Sequence, residues 1–268
     1  MAAKKLPLIA LADKAIKLPF IHWREFIRFA TILIAVDVTS SLVSIWTGGD
    51  NFALAGENQA APLWSMLLEL VLFIALAAAL IPFAVAWIRL TVNGAPSVSR
   101  RPIWTFGRVE RQFTLGGLVL GLIVAVPFLI VFGIAMLVRS NTGLMAALIV
   151  LAAASLAASW ACVVRLSFIT VELALQRYRG PQNSWAQTQG NFWRIVGLEL
   201  LVLFPFSIGY LVGQAIIWGL RNQPVLLVLA AILQTVLTLA WRAASAGALA
   251  LAYQFTTPEP SEAAVATS

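Results

Sequence analysis

The chain has 268 residues, of which 61% are hydrophobic and 11% charged, with a formal net charge of +7. An average soluble domain carries about 25% charged residues. The composition therefore excludes an ordinary soluble fold and leaves room for about six membrane spans of roughly 20 residues each, with no separate soluble catalytic domain among them. One Cys (Cys162) and one His (His22) exclude a disulfide framework, a zinc cluster and a paired-His metal site.

In chain order, the first element predicted is a short helix over 6–19. Leu8, Leu11, Ala15 and Ile16 recur at helical spacing, Asp13, Lys14 and Lys17 take the other side, and Pro7 and Pro19 bound the segment. Such a pattern suits a helix lying on the inner membrane face. No cleavable signal peptide is expected, because the first long apolar run begins near Phe26, contains Asp37 and lacks a small-residue cleavage site. Six apolar stretches follow, at about 26–46, 64–88, 113–138, 144–164, 195–220 and 225–252, each near spanning length. Pro82, Pro127 and Pro205 fall inside three of them and predict kinks that neighbouring helices help to satisfy. After the last span, 256–268 reads TTPEPSEAAVATS, too poor in bulky apolar residues to pack, and a disordered cytoplasmic tail is expected.

The basic residues set the orientation. Six Lys or Arg precede the first span, five lie in the second connection and three in the fourth, against none in the first connection (47–62) and one each in the third and fifth. The positive-inside rule then puts both termini in the cytoplasm. This placement points to orientation and anionic lipid, not to nucleic acid. Arg165 and Arg242 sit within apolar runs.

Trp23, Trp104 and Trp185 stand 81 residues apart, each opening a polar, Arg-containing segment before an odd-numbered span. Arg89, Arg165 and Arg242 stand 76 and 77 apart toward the ends of the even-numbered spans, with Trp87, Trp160 and Trp241 nearby. Three parallel helical-hairpin repeats, at about 20–95, 100–178 and 181–255, account for both spacings. Uniform span length with interfacial Trp and Arg accounts for them too. The three arginines are candidate lipid-phosphate contacts, since a guanidinium snorkels to the headgroups and grips phosphate in a fork that Lys does not reproduce. Marking helix ends is their other reading.

Asp37 lies midway along the first span and opens the polar run DVTSS, where an ionisable residue is costly. It is either a proton or cation site or a hydrogen-bonded packing contact, with Gln214 and Gln234 as intramembrane partners. Glu69 and Glu199 are expected to reach water or headgroups near span ends. His22, three residues before Glu25, has no visible catalytic constellation, and Cys162 reads as a small buried hydrophobe. Gly117-x-x-x-Gly121, Gly209-x-x-x-Gly213 and Ala243-x-x-x-Gly247 permit close helix contact. No P-loop, nucleotide fingerprint, zincin pattern or Gly-x-Ser-x-Gly elbow occurs, so no catalytic residue, cofactor or metal is expected.

The most characteristic stretch runs from Arg165-Leu-Ser-Phe through Gly180-Pro181 to Ser184-Trp185-Ala-Gln187-Thr188-Gln189-Gly190-Asn191-Phe-Trp193-Arg194. Ser184 and Gln187 have capping-box spacing, which predicts a helical turn that Gly190 breaks. Residues 150–255 resemble the membrane domain of bacterial glycerophosphoryl diester phosphodiesterases and related small, uncharacterised multi-span proteins, and Trp87-Ile-Arg89-Leu with Gly94-Ala-Pro96 looks like an equivalent element earlier in the chain. The phosphodiesterase barrel is absent, so the resemblance implies an architecture and no active site.

The expectation is an all-α, polytopic protein of the bacterial inner membrane, a single domain over 1–255. Its expected role is lipid engagement, assembly or envelope maintenance without catalysis. Its expected partners are membrane lipids, anionic ones among them, and another protein or a second copy of the chain. A small transporter or channel subunit using Asp37 is the alternative.

Overall fold

A computed structural model describes residues 5–46, 63–99, 106–137, 142–220 and 223–257. Among them every regular element is a helix: α1 Leu8–Ile21, α2 Trp23–Trp46, α3 Leu63–Asn93, α4 Pro96–Ser99, α5 Arg108–Leu137, α6 Thr142–Leu166, α7 Phe168–Leu175, α8 Pro181–Thr188, α9 Phe192–Gly219 and α10 Pro224–Thr256. Among the described residues, five stretches are long and apolar enough to cross a membrane: Leu70–Asn93, Arg108–Met136, Gly143–Leu175, Phe192–Gly219 and Val225–Thr256. The helix over the first predicted span, α2, is not one of the five. Its charges are Arg24, Glu25 and Arg28 in the first six residues and Asp37 further along.

One helix limit in this part of the chain differs from expectation. The prolines Pro82, Pro127 and Pro205 lie inside α3, α5 and α9, as read, but α1 also runs through Pro19 to Ile21. A proline so near a helix end disturbs only the last turn. On α1, Ala12, Ala15, Leu18 and Pro19 are buried, while Lys17 Nζ reaches Asp13 at 2.7 Å on the exposed side. The predicted tail begins on the last residue of α10, and residues 258–268, like residues 47–62 and Trp104, lie outside the described residues.

The chain divides into two compact units. The first gathers Phe106–Leu198 with Met1–Leu11 and Leu249–Ser268. Here α5 packs on α6 and α7, and α8 packs on α6 and α7. Gly117 and Gly121 meet nothing, and it is Gly116 that brings α5 against the Leu173 side chain of α7. A predicted close-contact motif is thus displaced by one residue, about 100° around the helix. The fourth apolar run continues past its predicted end at 164. Ser167 separates α6 from α7, its Oγ bonding back to the Val164 carbonyl at 2.8 Å. After α7 the chain turns at Gln176 (φ +59°), and Gly180 (φ +99°) leads into Pro181, the first residue of α8. Proline there forgoes an N–H that would have no helical partner. α8 ends at Thr188, where Gln189 turns extended, and Gly190 (φ +83°), expected to break the helix, lies just beyond.

The second unit comprises Ala12–Thr105 and Glu199–Ala248. Its α2 and α3 pack together around Phe26, Phe83 and Trp87, with Phe26 edge-on to the Trp87 ring at 5.9 Å. Small residues admit close approach on α9 and α10: a Cβ on Gly209 would meet Leu237 at 2.9 Å, and one on Gly247 would meet Trp87 Nε1 at 3.5 Å. These two contacts fulfil the sequence expectation for their motifs.

Candidate functional site

The densest polar arrangement lies in the first unit, where α6 ends. Arg165 occupies the last turn of α6, where a cation is favoured by the helix dipole. Its guanidinium carbon lies 5.5 Å from the centre of the Trp185 ring and 5.1 Å from that of Phe192. Both distances are within cation–π range. The backbone carbonyl of Arg165 accepts hydrogen bonds from Ser184 Oγ (3.0 Å) and Thr188 Oγ1 (3.3 Å), so α8 is tied to the end of α6. Ser184 is therefore an internal residue of α8 that reaches across to α6. The capping-box reading of Ser184 and Gln187 fails because Gly180 and Pro181 already start the helix. Arg165 Nη1 is buried and has no hydrogen-bond acceptor among the described residues, and Gln187 Oε1 is likewise buried without a donor among them.

Behind this seat lies an acid that sequence reasoning did not single out. Glu172, on α7, is fully buried. Asn183 Nδ2 donates to its Oε1, and the Arg179 N–H donates to its Oε2 at 3.1 Å. The Glu172 carbonyl accepts from the Arg177 N–H at 2.8 Å, closing the loop between α7 and α8. The available signal was the apolar company of Glu172: Phe168, Ile169, Val171 and Leu173 occupy its helical neighbourhood and are buried with it. The chain's beginning is pinned nearby. The Leu6 N–H donates to Asn191 Oδ1 at 3.3 Å, and Arg194 Nη1 donates to the Leu6 carbonyl at 2.6 Å.

The three spaced arginines occupy unlike settings. Arg89 is half-buried on α3, its carbonyl accepting from Ser97 Oγ at 3.3 Å. Arg242 is exposed and stands well inside α10, which continues to Thr256. The expected tryptophan companions also differ. Trp87 is fully buried in the aromatic cluster with Phe26 and Phe83, so it is a core residue and not a headgroup ring. Trp160 is largely exposed, and the rings on Arg165 are Trp185 and Phe192 instead.

The intramembrane polar candidates are rearranged as well. Asp37 accepts a hydrogen bond from Thr235 Oγ1, the neighbour of the expected Gln234. One residue along a helix turns the side chain by about 100°. Gln234 is buried against Gly213, and its Nε2 lies 3.5 Å from the Tyr210 carbonyl. No hydrogen bond among the described residues joins half-buried Gln214 to Asp37. Glu199 faces protein and not headgroups: Ser245 bonds its carboxyl, and its Oε1 is buried without a partner. The side chain of Glu69 lies outside the described residues. Cys162 is a free thiol, half-buried where full burial was expected, and His22 sits half-buried in the turn between α1 and α2.

A guanidinium held against two rings, with one N–H that meets no acceptor among the described residues, has bonding capacity for an oxyanion. Comparison with protein-family models, with curated proteins and with solved structures finds no match to this chain.

Proposed function

We propose that the chain is a multi-span protein of the bacterial inner membrane that engages anionic phospholipid headgroups and performs no catalysis of its own. In this reading α2 is a sixth span, the three spaced arginines mark three helical-hairpin repeats, and both termini are cytoplasmic. The likeness to the membrane domain of glycerophosphoryl diester phosphodiesterases belongs to the same proposal and concerns architecture alone.

The observation that carries the reading is the Arg165 seat. Two aromatic rings lie against the guanidinium while Nη1 has no acceptor among the described residues. A phosphodiester oxygen supplies that acceptor, and a charge-assisted hydrogen bond of this kind is about twice as strong as a neutral one. The Asp37–Thr235 bond supports a packing role for Asp37 over transport.

The lipids retained by the purified protein, identified by native mass spectrometry, test the reading. Replacing Arg89, Arg165 and Arg242 together by Lys keeps charge and topology but removes the fork. The proposal expects the triple variant to retain less cardiolipin and phosphatidylglycerol than the wild type; unchanged content refutes it.

A further inference from the structure

The two rings on Arg165 reach it from different elements. Trp185 comes with α8, which Ser184 and Thr188 bond to the Arg165 carbonyl. Phe192 comes with α9, and Gly190 (φ +83°) lies between the two helices. The place of Phe192 therefore depends on what holds the first turn of α9. Residues 6–8, which belong to the same compact unit, supply part of that hold.

Asn191 is the N-cap of α9: its carbonyl accepts from the Arg194 and Ile195 N–H groups, each at 2.9 Å. Its own N–H donates to the Thr188 carbonyl at 3.1 Å, and its Oδ1 accepts from the Leu6 N–H at 3.3 Å. Arg194, one turn on, donates from Nη1 to the Leu6 carbonyl at 2.6 Å. Both backbone groups of Leu6 are thus gripped by the side chains that flank Phe192 in sequence, and Leu6 itself is fully buried. Leu8 packs further along α9, its Cδ1 3.6 Å from where a Cβ on Gly197 would stand. The bond from a guanidinium to a carbonyl is charge-assisted, about twice as strong as a neutral one. Asn191 is buried, so turning the start of α9 away from Leu6 strands a buried amide oxygen and a buried N–H.

We propose that residues 6–8 are a strap that positions Phe192 on the Arg165 guanidinium, so that headgroup binding at that seat depends on the docked N-terminal segment. Asn191 and Arg194 are positioning residues that act through Phe192. The strap rests on the reading of Arg165 as a headgroup site.

The test titrates phosphatidylglycerol onto the delipidated full-length protein by native mass spectrometry and measures hydrogen exchange across 191–198 in parallel. Asn191→Leu removes the acceptor for Leu6, and Arg194→Met removes the donor. Each should speed exchange across 191–198 and lower affinity at least threefold. Asn191→Asp keeps the accepting oxygen and should stay within twofold of wild type on both readouts. In the Arg165→Lys background, Asn191→Leu and Arg194→Met should each change affinity less than twofold, because no guanidinium is left to position. A general loss of fold, or direct contact of Arg194 with lipid, would lower affinity equally in both backgrounds, and that result overturns the strap. Wild-type affinity in Asn191→Leu and Arg194→Met beside a weakened Arg165→Lys overturns the strap and leaves the headgroup reading standing. Arg165→Lys binding like wild type overturns the headgroup reading, and the strap falls with it.

Discussion

Glu172 and Glu199 are acids of the same type in the two units, and the protein treats them differently. Glu172 is fully buried with both carboxyl oxygens occupied, one by Asn183 and one by the Arg179 N–H. Glu199 has Ser245 on its carboxyl and a buried Oε1 with nothing to bond. A closed network specifies one loop geometry, because every alternative strands a polar group. A half-closed network leaves bonding capacity for something outside the chain.

Substitution to leucine sharpens that contrast most. Glu172→Leu strands the Asn183 amide and the Arg179 N–H, each at a cost of about 1 to 3 kcal/mol. We expect it to give the largest loss of melting temperature in detergent, with α8 released from α7; a variant as stable as wild type would break the comparison. Asp37 is the intermediate case, with Thr235 as its bonded partner. Asp37→Asn keeps an acceptor and should melt within a degree or two of wild type, whereas Asp37→Leu leaves one hydroxyl without its acceptor, at about 1 kcal/mol. Equal melting of the two variants would show that the bond contributes nothing. Glu199→Leu should change stability least, since it removes one hydrogen bond together with an atom already unmatched. A loss matching that of Glu172→Leu would show the two acids to be equivalent after all.

The helices were legible because a run of about 20 apolar residues has few other fates. What one sequence carries less well is rotation about each helix axis. Thr235 in place of Gln234, and Gly116 in place of Gly117, are errors of a single residue. Each is enough to move a side chain to another face. The Arg165 seat was legible in part. The residues Arg165, Ser184, Trp185 and Thr188 all lie in the stretch that stood out by composition, but their convergence depends on the break at Ser167 and the turn at Gln176, which no Gly or Pro announces. The near-equal spacing of three arginines suggested three like environments, and burial separates them: Arg165 is stacked between rings, while Arg242 is exposed.

That last difference supplies the most direct measurement. Phosphatidylglycerol is titrated onto the delipidated protein, and binding is followed by native mass spectrometry for wild type, Arg165→Lys and Arg242→Lys. Lysine keeps the charge at both positions and removes the planar fork, which matters only where the guanidinium is held in place. The account predicts that affinity falls at least fivefold in Arg165→Lys and less than twofold in Arg242→Lys. Equal affinities for wild type and Arg165→Lys, or equal losses in both variants, would contradict it.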